Sequence, residues 1–415
     1  MNFGQNILRA GIAARLHGKI LATRNVAMAI AVSAGLSACQ SAGLSGATDG
    51  LSGVDQGQQN ITLTADPKGE VFGQGDVRLT LLVPKTAPGN AAAIANEIRN
   101  GALLALQDFG QGKIQLVIKD TKGQAAEAQG TASEAVSEGS TAIIGPLFAS
   151  SVTAASAVAQ PAGRTMIAFS NDTNVAKRGV YLLSYTQQAD TKRMMNYALS
   201  LGKRSIYAFL PNDAVGTLQE TVLREVAGQA GANIQLIKYD RSGPAIETAA
   251  RSAAIPIASA DAIYIPDGGQ IPSAILSSLK RAGVSLAGKQ ILGSGQWESV
   301  KFDSPDLEGA LYTGRDISKF APFANRYQTA YNAQPGVFAA LGYDAITLAA
   351  SLVGSKGPAA AFQPASLEDR RGYSGINGIF RFKPDGTSER GLAVYKVTGG
   401  TGRPESPAPT SFSGT

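Results

Sequence analysis

From Val77 onward, short β-rich apolar runs alternate with stretches of helical period, and this alternation restricts the fold more than any other feature of the chain. The apolar runs are Val77 to Val83, Ile114 to Lys119, Ala142 to Ile144, Thr165 to Phe169, Ser205 to Leu210, Ile234 to Tyr239, Ala262 to Pro266 and Gln290 to Leu292. Between the first two, Ile94, Ile98, Ala102, Ala105 and Phe109 recur every three or four residues and predict one apolar helical stripe, with Glu97, Arg99 and Asp108 off it. Strands alternating with helices imply doubly wound α/β sheets whose strands run parallel. There are too many such pairs for one comfortable core, and the composition changes at Gln187 to Arg193. Two α/β lobes are therefore expected, the second opening with a helix over Met194 to Leu201. In such sheets ligands sit beyond the carboxyl ends of the strands, so the loops after each apolar run are the ones to inspect.

The N-terminus reads as an address. Arg9, Arg15, Lys19 and Arg24 precede a short apolar run, Val26 to Leu36, and small residues lead into Cys39. That order is a secretory signal, and the apolar run falls short of the roughly 20 residues a bilayer-spanning helix needs. Leu36-Ser37-Ala38-Cys39 resembles the lipobox of bacterial lipoproteins. The resemblance implies that residues 1–38 are removed and that Cys39 is acylated as the first mature residue. By the enteric sorting rule Gln40, in place of Asp, directs such a protein to the outer membrane. The Gly- and Ser-rich residues 39–76 read as a flexible tether, and the Gly-, Ser-, Pro- and Thr-rich residues 399–415 as a disordered tail.

The expected lobes are residues 77–188 with 316–355, and residues 189–315 with 356–398. The formal charge of +6 drops to +2 once the four N-terminal cations are removed, and the remaining Lys and Arg are scattered. Such a surface lacks the basic stripe that nucleic acid requires. The single histidine, His17, and the single cysteine, Cys39, both lie at the extreme N-terminus. The mature chain therefore has no Ser-His-Asp or Cys-His nucleophile and no His or Cys zinc site. No phosphate-cradling loop or dinucleotide fingerprint occurs either. No enzymatic activity and no cofactor are expected.

Two loops could carry recognition. Ile144-Gly145-Pro146-Leu147-Phe148-Ala149-Ser150-Ser151 is a strand end, a turn and a helix start, where Ser150 or Ser151 either caps the helix or helps its amides hold an anion. Ser170-Asn171-Asp172-Thr173-Asn174, at the end of the next strand, is a cluster of small hydrogen-bonding groups suited to a ligand or a turn. Two polar loops after neighbouring strands converge on one cleft.

Gly145-Pro146 with its Ser-containing helix start resembles the type I solute-binding proteins of leucine, isoleucine and valine uptake. So do Val83-Pro84, Gly89-Asn90, Arg99-Asn100-Gly101-Ala102, Asp213-Ala214-Val215-Gly216 and Leu341-Gly342-Tyr343-Asp344-Ala345. The resemblance spans Val77 to Val397. It implies a Venus flytrap, two lobes joined by three crossovers and closing on a small polar ligand such as an amino acid, which is delivered to an ABC permease. Position by position it places Ala149 and Ser150, with Asp172 and Thr173, where relatives grip the ligand's carboxylate and ammonium. Phe148, Asn171, Val215, Asp267, Gln296 and Trp297 complete the expected ligand-binding set.

Two features depart from the amino-acid binders. The loop Gly293-Ser294-Gly295-Gln296-Trp297 lacks their carboxylate for the ammonium, and Val215 stands where they tend to carry an aromatic. An unpaired buried ammonium is costly, so Asp172 or Asp267 would have to substitute. Trp297 either walls the cleft or packs between the lobes. The same loops, together with the lipobox, are also similar to lipoprotein activators of penicillin-binding proteins. In those proteins the partner is a cell-wall synthase, and the cleft need not hold a small ligand.

Overall fold

A computed structural model describes residues 66–412. The signal segment, Cys39, most of the expected tether and residues 413–415 lie outside the described residues. The strands are β1 (Glu70–Phe72), β2 (Val77–Val83), β3 (Ile114–Asp120), β4 (Ala142–Ile144), β5 (Thr165–Ala168), β6 (Val180–Leu182), β7 (Ser205–Pro211), β8 (Asn233–Tyr239), β9 (Ala262–Tyr264), β10 (Gln290–Gly293), β11 (Leu311–Gly314), β12 (Tyr373–Gly375), β13 (Gly378–Phe382), β14 (Ser388–Arg390), β15 (Ala393–Thr398) and β16 (Thr401–Ser406). The principal helices are α1 (Ala91–Ala105), α2 (Ala125–Ser137), α3 (Ala149–Ala159), α4 (Gln187–Ser200), α5 (Ala214–Ala230), α6 (Gly243–Ala253), α7 (Ile271–Arg281), α8 (Phe320–Tyr331) and α9 (Val337–Lys356).

The strands form two large sheets, ordered β1-β3-β2-β4-β5-β6 and β16-β15-β11-β10-β9-β7-β8. Within them, β3-β2-β4-β5-β6 and β8-β7-β9-β10-β11 are parallel and repeat one order, in which the first strand lies between the second and third. That order puts the topological switch between β2 and β4 in one sheet and between β7 and β9 in the other, at their carboxyl ends. The expectation of two doubly wound α/β lobes is met.

Each sheet is covered on both faces, so its central strands are buried throughout and read as continuous apolar runs. In β2, Leu79, Leu81 and Val83 face α1, α8 and α9, while Leu82 faces α2 and α3. In β7, Ile206, Ala208 and Leu210 face α4 and α5, while Tyr207 and Phe209 face α6 and α7. Each fully buried Leu, Ile or Phe contributes roughly 1.5–3 kcal/mol. Helix α9 is long and apolar enough to cross a membrane, but 72% of its most apolar window is buried in this core. Gly101 of α1 and Gly342 of α9 let the two helices meet at backbone distance: a Cβ on Gly342 would lie 2.2 Å from the Ile98 carbonyl oxygen, and one on Gly101 would lie closer still to that of Ala339. This close approach is the physical content of the two glycine motifs noted in the sequence.

Several expectations are corrected. Phe109 leaves the predicted stripe because Leu106–Gly110 forms a π-helical turn, whose extra residue rotates the face and leaves Phe109 47% exposed. The second lobe's first helix starts at Gln187, seven residues before Met194, because the Thr186 hydroxyl caps it by accepting from the Ala189 amide. The end of the expected tether contributes β1, which pairs antiparallel with β3. The expected tail likewise supplies β16, an edge strand paired with β15. Residues 356–390, assigned to the second lobe from the sequence, pack into the first: Phe380 and Phe382 join its core, and Phe382 meets Tyr181 with ring centroids 5.3 Å apart. Only β15 and β16 of the C-terminal region join the second sheet.

Candidate functional site

The chain passes between the two lobes at three places, after β6, after β11 and between β14 of the small sheet β12-β13-β14, which packs on the first lobe, and β15. A cavity of about 420 Å³ opens beside them. Ile94, Leu147, Phe148, Phe169, Asn171, Val337, Phe338 and Leu341 line it from the first lobe, and Asp190, Gly295, Gln296 and Glu298 from the second. Ser184, Tyr185, Gln187, Gly314, Arg315 and Leu392 line it from the crossovers. The wall is mostly apolar, with a few polar groups concentrated on the second lobe and the crossovers, the usual composition of a small-molecule site.

The loop after β4 reaches the cavity because Gly145 adopts φ +87, a left-handed conformation in which a Cβ would strike the Leu82 carbonyl oxygen at 2.3 Å. That turn sends Leu147 and Phe148 into the cavity wall, and Phe148 is 38% exposed. On the opposite side, Arg315 makes a two-pronged ion pair with Glu298, with Nε to Oε1 at 2.9 Å and Nη2 to Oε2 at 2.7 Å. Asp190, in the first turn of α4, is 8% exposed and accepts a hydrogen bond of 3.0 Å from the Thr313 hydroxyl. Among the described residues no Lys or Arg forms an ion pair with it. Burial raises its carboxyl to about 7, against the hydrogen bonds from Thr313 and the Gly295 amide that favour the charged form. A Cβ on Gly295 would come within 2.9 Å of that carboxylate, so glycine is what lets the loop after β10 pass so near.

Behind the cavity a buried polar group ties the crossovers together. Arg390 donates from Nε to the Ser184 carbonyl at 2.8 Å and stacks over the Tyr185 ring, 4.1 Å from its centroid. Asp344 of α9 accepts from the Ile376 amide at 2.8 Å, and burial raises its carboxyl to about 6.

Of the residues singled out in the sequence, Phe148, Asn171 and Gln296 line this cavity together. The rest do not. Ser150 is exposed and Ala149 half-buried in the first turn of α3, which has no side-chain cap; Ser151 is buried. Asp172 turns back on its own loop, accepting from the amide and side-chain nitrogens of Asn174, and Thr173 accepts from Gln188 of α4. Val215 lies half-buried in the first turn of α5.

Asp267 is unsuited to replace the missing ammonium partner, because Arg241 donates to it at 2.6 Å and the Tyr239 hydroxyl at 2.8 Å. Trp297 is fully buried in the second lobe's core, neither walling the cleft nor packing between lobes. Its Nε1 donates to the Ile265 carbonyl at 2.8 Å and its ring stacks on Tyr312. Sequence reasoning missed Asp190, Arg315 and Glu298. An acid in a first helical turn reads as a dipole partner, which hid Asp190.

The sequence profile of a family described as periplasmic binding protein matches residues 76–402. The chain belongs to this family. Its fold is the type I periplasmic-binding-protein fold, and the resemblance to leucine-binding proteins noted in the sequence holds at the level of family and fold. No curated protein matches the chain. Among solved structures it is similar to a putative branched-chain amino acid ABC transporter protein from Rhodospirillum rubrum, at 19% identity and TM-score 0.67, covering 79% of this chain and 99% of that one. A leucine-binding protein from Thermotoga maritima is similar at 19% identity and TM-score 0.55, covering 80% and 98%. A solute-binding protein from Rhodopseudomonas palustris, solved with 3,4-dihydroxybenzoic acid, is similar at 17% identity and TM-score 0.55, covering 81% and 96%.

Proposed function

We propose that the protein is an exported, lipid-anchored receptor that closes its two lobes on a small ligand with an apolar body and a polar end, for delivery to an ABC permease. The observation that carries this reading is the cavity itself, walled by both lobes and all three crossovers. A ligand touching both walls stabilises the closed arrangement more than the open one, which is how binding becomes a signal to a permease. The relative solved with 3,4-dihydroxybenzoic acid supports a ligand of this size. Cys39 would be the anchor, held in the periplasm on the outer membrane.

The departures at the expected amino-acid positions favour a ligand other than a plain α-amino acid. They also keep a second reading in play, a regulator of a cell-wall synthase that works through its outer surface. A thermal-shift panel of amino acids, aromatic acids, amides, amines and peptidoglycan fragments decides between them. A ligand at 100 times its Kd adds about 2.7 kcal/mol and raises the melting temperature by a few degrees. A panel with no shift defeats the receptor reading and favours the second.

A further inference from the structure

We infer that the ligand of the cleft is an organic ammonium ion with an apolar body, bound through Asp190, and not a zwitterion or an anion. The inference rests on the receptor reading and adds the chemical class of what is received. Three charged side chains line the cavity: Asp190, Glu298 and Arg315. Glu298 and Arg315 neutralise each other through both prongs of the guanidinium. That leaves one carboxylate without a cation, in a wall whose other side chains are uncharged and mostly apolar, Phe148, Phe169, Phe338 and Leu341 among them.

The groups facing Asp190 are the Thr313 hydroxyl on β11, the Gly295 amide and Glu298 after β10, and the Tyr264 ring on β9. None is cationic. Arg390 and Asp344 sit behind Tyr185, do not line the cavity and offset each other. A buried carboxyl of this kind stays partly protonated until a cation arrives, and an ammonium ion supplies the charge that burial withholds. An anionic ligand would meet an Arg315 already saturated and, wherever Asp190 is ionised, a like charge. A zwitterion would bring a carboxylate as well, and the one cation lining the cavity, Arg315, is already paired with Glu298.

The test titrates the protein by calorimetry with four probes sharing one phenyl body: phenethylamine, L-phenylalanine, 3-phenylpropionate and 2-phenylethanol. Phenethylamine should bind at least about tenfold more tightly than the others. Its affinity should climb as pH rises toward about 7 and Asp190 ionises. Asp190→Asn keeps an acceptor for Thr313, and should weaken phenethylamine by about 30-fold or more, at least about tenfold more than it weakens 2-phenylethanol, while flattening the pH dependence. Glu298→Gln frees Arg315 and should shift preference toward 3-phenylpropionate. Tightest binding of L-phenylalanine or 3-phenylpropionate by the unaltered protein overturns the inference and leaves the receptor reading intact. So does unchanged phenethylamine affinity in Asp190→Asn. Binding of none of the four overturns it as well, and the wider thermal-shift panel then decides the receptor reading separately.

Discussion

Asp190→Asn should make the unliganded protein more stable, and increasingly so as pH rises. The carboxyl is held at about 7 in the folded chain against an ordinary value of 3.8, a gap of about three units. Each unit corresponds to about 1.4 kcal/mol, so ionising this group inside the fold costs about 4 kcal/mol. Between about pH 4 and pH 7 the unfolded chain releases this proton while the folded chain keeps it, and the unfolded state therefore binds fewer protons. Stability falls through that window as pH rises and levels off above it. Asparagine does not titrate and retains an oxygen for the Thr313 hydroxyl, so the variant escapes the loss. Urea unfolding of both proteins from about pH 4.5 to about pH 8 measures the difference, in which other titrating groups such as Asp344 cancel. Over that range the difference should grow with pH by about 3 kcal/mol in the variant's favour, the rest of the shift lying below about pH 4.5. A flat difference, or one growing the other way, refutes the picture of an uncompensated buried carboxylate. A site residue that destabilises its own fold is what ligand recognition would select for.

Gly342→Ala places a Cβ 2.2 Å from the Ile98 carbonyl oxygen and should force α1 and α9 apart, at about 1–3 kcal/mol, seen as a lowered melting temperature in calorimetry. Trp297→Phe orphans the buried Ile265 carbonyl and should cost about 1–3 kcal/mol in urea unfolding, with phenethylamine affinity unchanged because the indole lies outside the cavity. Truncation after Gly400 removes β16 and the contact of Arg193 with Ser406, and should destabilise by about 2 kcal/mol. An unchanged melting temperature on truncation would mean that the strand is not part of the fold.

The central strands were legible because burial on both faces leaves an unbroken apolar run, and β2 and β4 fall where the runs at Val77 and Ala142 were read. The edge strands β1 and β16 were not, because an edge tolerates the Gly, Pro and polar residues that also make a tether or a tail. The crossover near Gln187 shows in the sequence as a change of composition, but the apolar pattern of the helix begins only at Met194, and it is the polar cap at Thr186 that sets the start at Gln187. For the site, the loops after β4 and β5 stand out in the sequence by their strand-end position, and the fold brings Phe148 and Asn171 from them to the cavity wall. Within those loops polarity misled: Asp172 satisfies its own turn, and Ser150 faces out. Arg315, Glu298 and Asp190 come together only through the fold, Glu298 lying 108 and Arg315 125 residues beyond Asp190, and no local spacing announces them.

The central claim is that the cavity between the lobes is where a ligand binds, and filling it is the most direct test. Asn171 is exposed and lines the cavity, so Asn171→Trp can occupy the space without disturbing the core. The best ligand from the thermal-shift panel is titrated by calorimetry into the unaltered protein and into this variant. Saturable binding at one site that is lost in Asn171→Trp, with the melting temperature of the unliganded variant unchanged, is the predicted result. Binding that survives the filled cavity would place the site elsewhere and contradict the account.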